Sequence, residues 1–231
     1  MRKTTLLEIL SGLREPSEGS IEINGKTVKG PQPSIGIVFQ EESTFPWRTV
    51  LENVEFGLQM HGVNKKERKE RARKMISLVG LEGFEQSFPH QLSGGMRQRV
   101  AIARTLVTQP EIVVMDEPFG ALDEQTRILL GGELLKIVEQ TQATIILVTH
   151  SIQEAALLSD KILVLSARPG RMKTIIRSML PKPRDSRVLT TEEYASITRE
   201  IWSNLVEEEG LISRHSGEGS LKYHDSIKAV K

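Results

Sequence analysis

Cysteine is absent from this chain of 231 residues. That excludes disulfides, thiol catalysis and Cys-based zinc sites, and it suits a reducing compartment. Aromatic residues make up only 4% of the sequence. No apolar run approaches the roughly 18 residues needed to span a bilayer, so any work at a membrane has to go through a partner. The opening Met1-Arg2-Lys3 followed by Leu6, Leu7, Ile9 and Leu10 faintly resembles a secretory signal. Glu8 interrupts its apolar part and no small-residue cleavage site follows, so the signal reading is rejected. Charge is nearly balanced at a formal +1, which argues against a surface that coats nucleic acid. What remains is 38% hydrophobic and 26% charged, the profile of a globular protein long enough for one large domain or a domain plus a small lobe.

Apolar strands alternate with helices along the chain. Residues 3–13 read as a short helix ending near Gly12. Ile21-Glu22-Ile23 alternates like a strand and runs into the turn signal Asn24-Gly25. Ile35 to Phe39, Ile112 to Met115, Thr144 to Val148 and Lys161 to Leu165 read as buried strands. Residues 64–79 and Ile128 to Val138 are helical in pattern. This alternation predicts an α/β fold, a mainly parallel sheet flanked by helices. In such sheets ligands sit at the carboxyl ends of strands. Three of those ends carry polar residues: Gln40, Asp116 with Glu117, and His150. The chain from about 205 onward is polar and reads as loosely ordered.

In "IVVMDEP" two acids follow a run that should be buried. An unpaired buried carboxylate is costly, so the pair has to find a partner, hold a cation or line a site. Neighbouring strand residues point opposite ways, which gives Asp116 and Glu117 different tasks, one toward Mg²⁺ and one toward a water. A helix N-cap after a strand is the plainer alternative. In "LSGGMRQRVAIARTL", Ser93 is a candidate N-cap, and Gly94 and Gly95 allow backbone N–H groups to approach an anion at a helix start. The plainer reading is a glycine turn before an amphipathic helix. The basic run "KKERKERARK" contains Glu67/Arg71 and Glu70/Lys74 at i,i+4 spacing, and so reads as a solvated helix face. His61 and His90 have no acidic company and read as structural.

These stretches together resemble the ATP-binding subunit of an ABC transporter, over roughly residues 3–185. "LSGGMRQR" is similar to the family signature, "VVMDEP" to its Walker B strand, "GALD" to its D-loop, "VFQ" to its Q-loop and "LVTHS" to its switch histidine. "FPWRTVLENVEFGL" and "SARPGR" resemble the nitrate/sulfonate/taurine importer branch. The resemblance implies a P-loop NTPase-like fold with an inserted helical subdomain at about 45–105 and a polar tail at about 186–231, the whole chain being one ATPase domain. It implies catalytic roles for Glu117 (polarising the attacking water), His150 (on the γ-phosphate) and Gln40 (sensing Mg²⁺ and nucleophile). Asp116, Gln40 and Thr4 would serve Mg²⁺. Lys3, Thr4 and Thr5 would hold phosphate. Ser93, Gly94 and Gly95 would close over ATP bound to a second subunit, with Asp123 coupling the two sites.

The implied function is ATP hydrolysis, with ATP and Mg²⁺, powering import of a small solute. The implied partners are permease subunits, a second ATPase subunit and, indirectly, a periplasmic or extracellular solute-binding protein. The implied location is the cytoplasmic face of the membrane. Phe45, Pro46 and Trp47 lie where the family docks a helix of the membrane subunit, and packing between lobes is an equal reading of them. DNA-repair members carry a long coiled coil between Q-loop and signature, for which this chain has no room, and no nucleic-acid partner is expected. "MRKTTLL" resembles the end of the Walker A loop, with Arg2 where the family has glycine. The expectation is a chain truncated through that loop, with its N-terminal strands missing. A catalytically inactive subunit that only docks the transporter is the alternative function.

Overall fold

The computed structural model describes residues 3–40, 43–166 and 169–215, with Lys3 and residues 207–215 described by backbone only. Three strands form the central sheet: β3 (Ile35–Val38), β4 (Ile112–Asp116) and β5 (Thr144–Val148), all parallel, in the order β3-β4-β5. Side chains alternate across it as the pleat requires. Val113 and Met115 of β4 pack with Val38 on one face, in a core shared with the helices. Val114 packs on the other face, with Ile35 and with Leu7 of α1 (Lys3–Leu10).

The first face is covered by α2 (Val50–Met60), α3 (Lys65–Leu78), α4 (Gly94–Leu106) and α5 (Glu124–Thr141). Each starts where a side chain can cap it. Thr49 and Glu52 form a reciprocal capping box on α2. Asn64, Ser93 and Asp123 accept from the third helical N–H of α3, α4 and α5. The basic run does form helix α3, and its Glu67–Arg71 and Glu70–Lys74 pairs close at 3.7 and 2.8 Å. Gly36 in β3 lets α4 approach. A Cβ there would lie 2.5 Å from Thr105 Cγ2, and the Thr105 hydroxyl donates to the Ile37 carbonyl at 3.2 Å.

Beyond α1 the chain turns at Gly12, whose φ of +74 and close approach to the Gly30 carbonyl leave no space for a side chain. A small hairpin follows, β1 (Glu22–Ile23) with β2 (Lys26–Thr27). Its turn residues Asn24 and Gly25 both take positive φ, as a two-residue hairpin turn of the primed type demands.

A second core forms downstream. It contains α6 (Ile152–Leu158), β6 (Lys161–Leu165), β7 (Met172–Arg177) and α7 (Glu192–His215). Two expectations change here. Lys161–Leu165 was expected as a fourth strand of the parallel sheet, but it pairs antiparallel with β7 in a separate ladder. The sequence alone carries no information on which edge a strand chooses. Among the described residues the outer edge of β5 has no strand partner, and Ile145 to Val148 are only half-buried. The stretch from 186 was expected as a polar tail. It forms a 3-10 turn at Ser186–Thr190 and then the 24-residue helix α7, which runs past 205. Tyr194, Ile197 and Ile201 recur at helical spacing and are buried, and this narrow apolar stripe is diluted by the surrounding Glu and Ser.

Candidate functional site at the strand carboxyl ends

The parallel ladder brings the ends of β3, β4 and β5 to one side, because Val38 pairs Met115 and Asp116 pairs Val148. Glu117 extends that ladder by one bond, its N–H donating to the Val148 carbonyl at 2.8 Å. From there the chain turns sharply. Glu117 adopts φ +44, which is rare for a residue with a side chain. Its carbonyl accepts from Gly120 N–H at 3.0 Å, and a Cβ on Gly120 would sit 3.3 Å from that oxygen. Phe119, fully buried, anchors the turn in the first core.

This turn aims the Glu117 carboxylate at two residues from the neighbouring strand ends. His150 Nδ1 lies 3.1 Å from Glu117 Oε2. Gln40 Nε2 donates to the same oxygen at 3.5 Å. The expected trio Glu117, His150 and Gln40 is therefore assembled from three strands through one carboxylate oxygen. Glu117 is largely shielded, with 22% of its side chain exposed, whereas His150 is 62% exposed and free to meet a ligand from solvent. The Thr149 hydroxyl accepts from Ser151 N–H at 2.9 Å and Ser151 caps α6, which fixes the backbone on both sides of His150.

The phosphate and metal candidates divide into those the structure locates and those it does not. Thr4 is exposed in the first turn of α1 and Thr5 is half-buried behind it. Arg2 and the Lys3 side chain lie outside the described residues. Asp116 is only 8% exposed at the end of β4. Mg²⁺ takes a few hard oxygen ligands and keeps water or phosphate for the rest. The Asp116 carboxylate, the Thr4 hydroxyl and the Gln40 Oε1, whose amide nitrogen is engaged by Glu117, have that chemistry. Among the described residues no group of three or more His, Asp or Glu could hold a metal unaided. A cation here would draw its remaining ligands from phosphate and water.

The signature residues sit elsewhere. Ser93 is exposed, its hydroxyl accepting from Met96 N–H at 3.3 Å, so its first task is capping α4. Gly95 lies against α5, where a Cβ would come 3.4 Å from Leu130 Cδ1. Asp123 caps α5 with both oxygens, accepting from Thr126 N–H at 2.9 Å and from the Thr126 hydroxyl at 2.7 Å. These bonds, the backbone one foremost, hold its carboxyl below the usual value. Ser93 and Asp123 are both exposed at helix starts, where their side chains make capping bonds.

A few residues after Gln40 in the sequence, the loop before α2 forms an aromatic platform. Phe45 meets Phe56 edge-on at 4.7 Å, and the Arg48 and Arg104 guanidinium groups lie over the Phe45 ring at 5.5 and 5.3 Å. The Arg104 guanidinium also donates to the Ser43 carbonyl. Fully buried Asn53 ties the loop down through the Phe45 N–H and carbonyl and the Arg48 and Thr49 carbonyls. Phe45 therefore packs inward, while Trp47 is 71% exposed.

Two features escaped the sequence. One is the left-handed backbone at Glu117, where the following Pro118 points to extended structure instead. The other is the Arg127–Glu154 ion pair at 3.3 Å, which joins the helix after Asp123 to the helix after His150. Two charges on separate helices leave no local signature.

Comparison with known proteins bears on the same residues. The sequence model of the ABC transporter family matches residues 3–120. An uncharacterized ABC transporter ATP-binding protein of Methanocaldococcus jannaschii is 57% identical over 192 residues, which cover 83% of this chain and 72% of that one. The nitrate import ATP-binding protein of Synechocystis is 42% identical over 209 residues, 88% of this chain and 79% of its own length. Among solved structures, a dimeric ATP-binding cassette in a post-hydrolysis state with ADP and Pi superposes with a TM-score of 0.65 at 34% identity, over 76% of this chain and 80% of that one. Three strand ends meeting at one glutamate, with the signature serine at the head of its own helix, thus sit in a matching sequence and a matching fold, and the chain belongs to the ABC transporter family as an ATP-binding cassette.

Proposed function

We propose that this chain is the ATP-binding and ATP-hydrolysing subunit of an importer of small solutes. The observation that carries the reading is the convergence of Gln40, Glu117 and His150 on one oxygen at the ligand-binding edge of the sheet. Glu117 would take a proton from an attacking water, with Gln40 and His150 keeping its carboxylate oriented. His150, exposed beside it, would meet a terminal phosphate. Asp116, Thr4 and Gln40 would hold Mg²⁺, which neutralises phosphate charge when bound. Lys3 and Thr5 would hold phosphate. Ser93 to Gly95 present backbone N–H groups at a helix start and would close over nucleotide on a second copy, with Asp123 beside that contact. The dimeric state of the solved cassette and the nitrate import relative support the arrangement. The partners are then a second ATPase subunit, permease subunits and, indirectly, a solute-binding protein, and the location is the cytoplasmic face of the membrane. Among the described residues no helix is long and apolar enough to cross a membrane, so attachment would come through the permease.

A second reading rests on the aromatic platform. Exposed Trp47 and half-exposed Phe39, on either side of Gln40 in the sequence, would suit docking to a permease whether or not the chain turns over ATP. One experiment separates the two. Mg-ATP at millimolar concentration should raise the melting temperature, because a ligand that binds only the folded state stabilises it. Glu117→Gln should keep that rise and lose phosphate release. Undiminished turnover in Glu117→Gln would remove Glu117 from the chemistry. A cooperative melt that Mg-ATP does not shift would favour the docking subunit.

A further inference from the structure

The helices that begin directly after Asp123 and after His150 do not pack flush. Between α5, α6 and the turn at Ser186–Thr190 lies a cavity of about 240 Å³. Its apolar wall includes Ile128, Leu157 and Leu189. Its polar side holds Ser151, Arg127 and Glu154, with Glu124 also lining it.

Glu154 is the unusual member. It is 6% exposed, and only one of its oxygens is engaged. Arg127 Nε lies 3.3 Å from Oε1 as an ion pair without hydrogen-bond geometry, and both that Nε and Oε2 are buried with no hydrogen-bond partner among the described residues. A buried carboxylate oxygen left unpaired costs the desolvation of that atom. A donor arriving in the cavity would recover it. The lining carries two carboxylates, Glu124 and Glu154, against one guanidinium, so one negative charge is left over. Burial, with Glu124 adding to it, pushes the phenol of Tyr194 upward. Tyr194 shares the apolar cluster of Leu157, and its own hydroxyl is also buried without a partner.

We propose that this cavity is a binding site for a small organic cation with an apolar body, a primary ammonium on a ring or short alkyl chain, and that its occupation modulates the ATP site. The apolar wall takes the body and Glu154 Oε2 takes an N–H. Coupling follows from the chain. Ser151 lines the cavity, caps α6 and is the residue after His150. Glu124 lines it and is the residue after Asp123. An occupant that spreads α5 from α6 moves the supports of both. The modulatory half rests on the ATPase reading above, and the binding half does not.

The probe is cyclohexylammonium, with cyclohexanol and cyclohexanecarboxylate as neutral and anionic isosteres, added to the full chain in a thermal melt. At about ten times its Kd, the ammonium should raise the midpoint by roughly 3 °C. The two isosteres should leave it unchanged. Ile128→Phe, which fills the cavity without touching the ion pair, should abolish the shift. Glu154→Gln should abolish it too, and Ile128→Phe decides the matter if that variant does not fold. No shift with the ammonium, an equal shift with cyclohexanol, or a shift that survives Ile128→Phe would overturn the site. In parallel, saturating ammonium should change phosphate release at least about twofold in the parent and not in Ile128→Phe. Binding with unchanged phosphate release would overturn the coupling. Binding by a chain that releases no phosphate under any condition would uphold the site and sink the ATPase reading instead.

Discussion

Glu117 meets two demands that oppose each other. Its N–H must close the ladder to Val148, and its side chain must reach Gln40 and His150. The left-handed φ of +44 reconciles them, a conformation that costs of order 1–3 kcal/mol outside glycine and is tolerated where the surroundings enforce it. Buried Phe119 and the close approach of Gly120 to the Glu117 carbonyl are what enforce it. Asp123 is simpler. Its oxygens accept from Thr126, so its carboxyl titrates below the ordinary value of 3.8. A carboxyl with a lowered folded value stabilises the fold above its unfolded value, and that contribution is lost as pH falls through the folded one. Asp123→Ala should therefore melt lower than the parent at pH 7, and the difference should shrink as pH drops below about 4. Parallel melts of the two proteins across pH 2.5 to 7 check this. A gap independent of pH would mean that the charge on Asp123 contributes nothing. At this scale the sequence named the trio's members and the capping serine. It did not give the backbone twist, because a φ angle is set by what packs around it.

Strand β3 and helix α4 approach closely. Gly36 admits Thr105, and the Thr105 hydroxyl reaches the Ile37 carbonyl. Pro110 closes the other side, 3.1 Å from where a Cβ would stand. Gly36→Ala should therefore cost about 1–3 kcal/mol, the usual price of overpacking, read as a lower urea midpoint at unchanged slope. A neutral result would show that α4 can retreat without loss. The elements themselves were largely legible. Ile35 to Phe39, Ile112 to Met115 and Thr144 to Val148 were apolar enough to read as buried strands, and α3 followed from its i,i+4 pairs. Element α7 was not. Its apolar residues Tyr194, Ile197, Ile201 and Leu205 lie on one face at helical spacing, and a reading by composition, which weighs the charged residues between them, passes over that periodicity. Pairing was also illegible at β6. Its apolar pattern fits a buried strand in either ladder, and only the position of β7 decides which.

The whole molecule rests on two large cores with a narrow bridge between them. Leu158 packs against both, from the end of α6. Arg127 and Glu154 add an ionic tie across the same junction. The two tryptophans report on different sides, Trp47 beside the first core and Trp202 on α7 over the second. Ile197→Ala, in the second core, should lower stability by about 2–4 kcal/mol. If the bridge couples the cores, single-tryptophan versions of that variant should show the same lowered midpoint from both reporters. A midpoint that falls at Trp202 and not at Trp47 would mean that the second core unfolds alone. The ordering of causes is clear at this scale. The sequence by itself determined the α/β class, the parallel strands, the polar residues at their carboxyl ends and the family, because apolar periodicity and short motifs are local properties of the chain. Only the tertiary structure decided that Gln40, Glu117 and His150 share one oxygen, that β6 leaves the parallel sheet for β7, and that α5 and α6 part around a cavity. Each of those depends on residues far apart in sequence, whose meeting is fixed by packing and by sheet register rather than by any pattern along the chain.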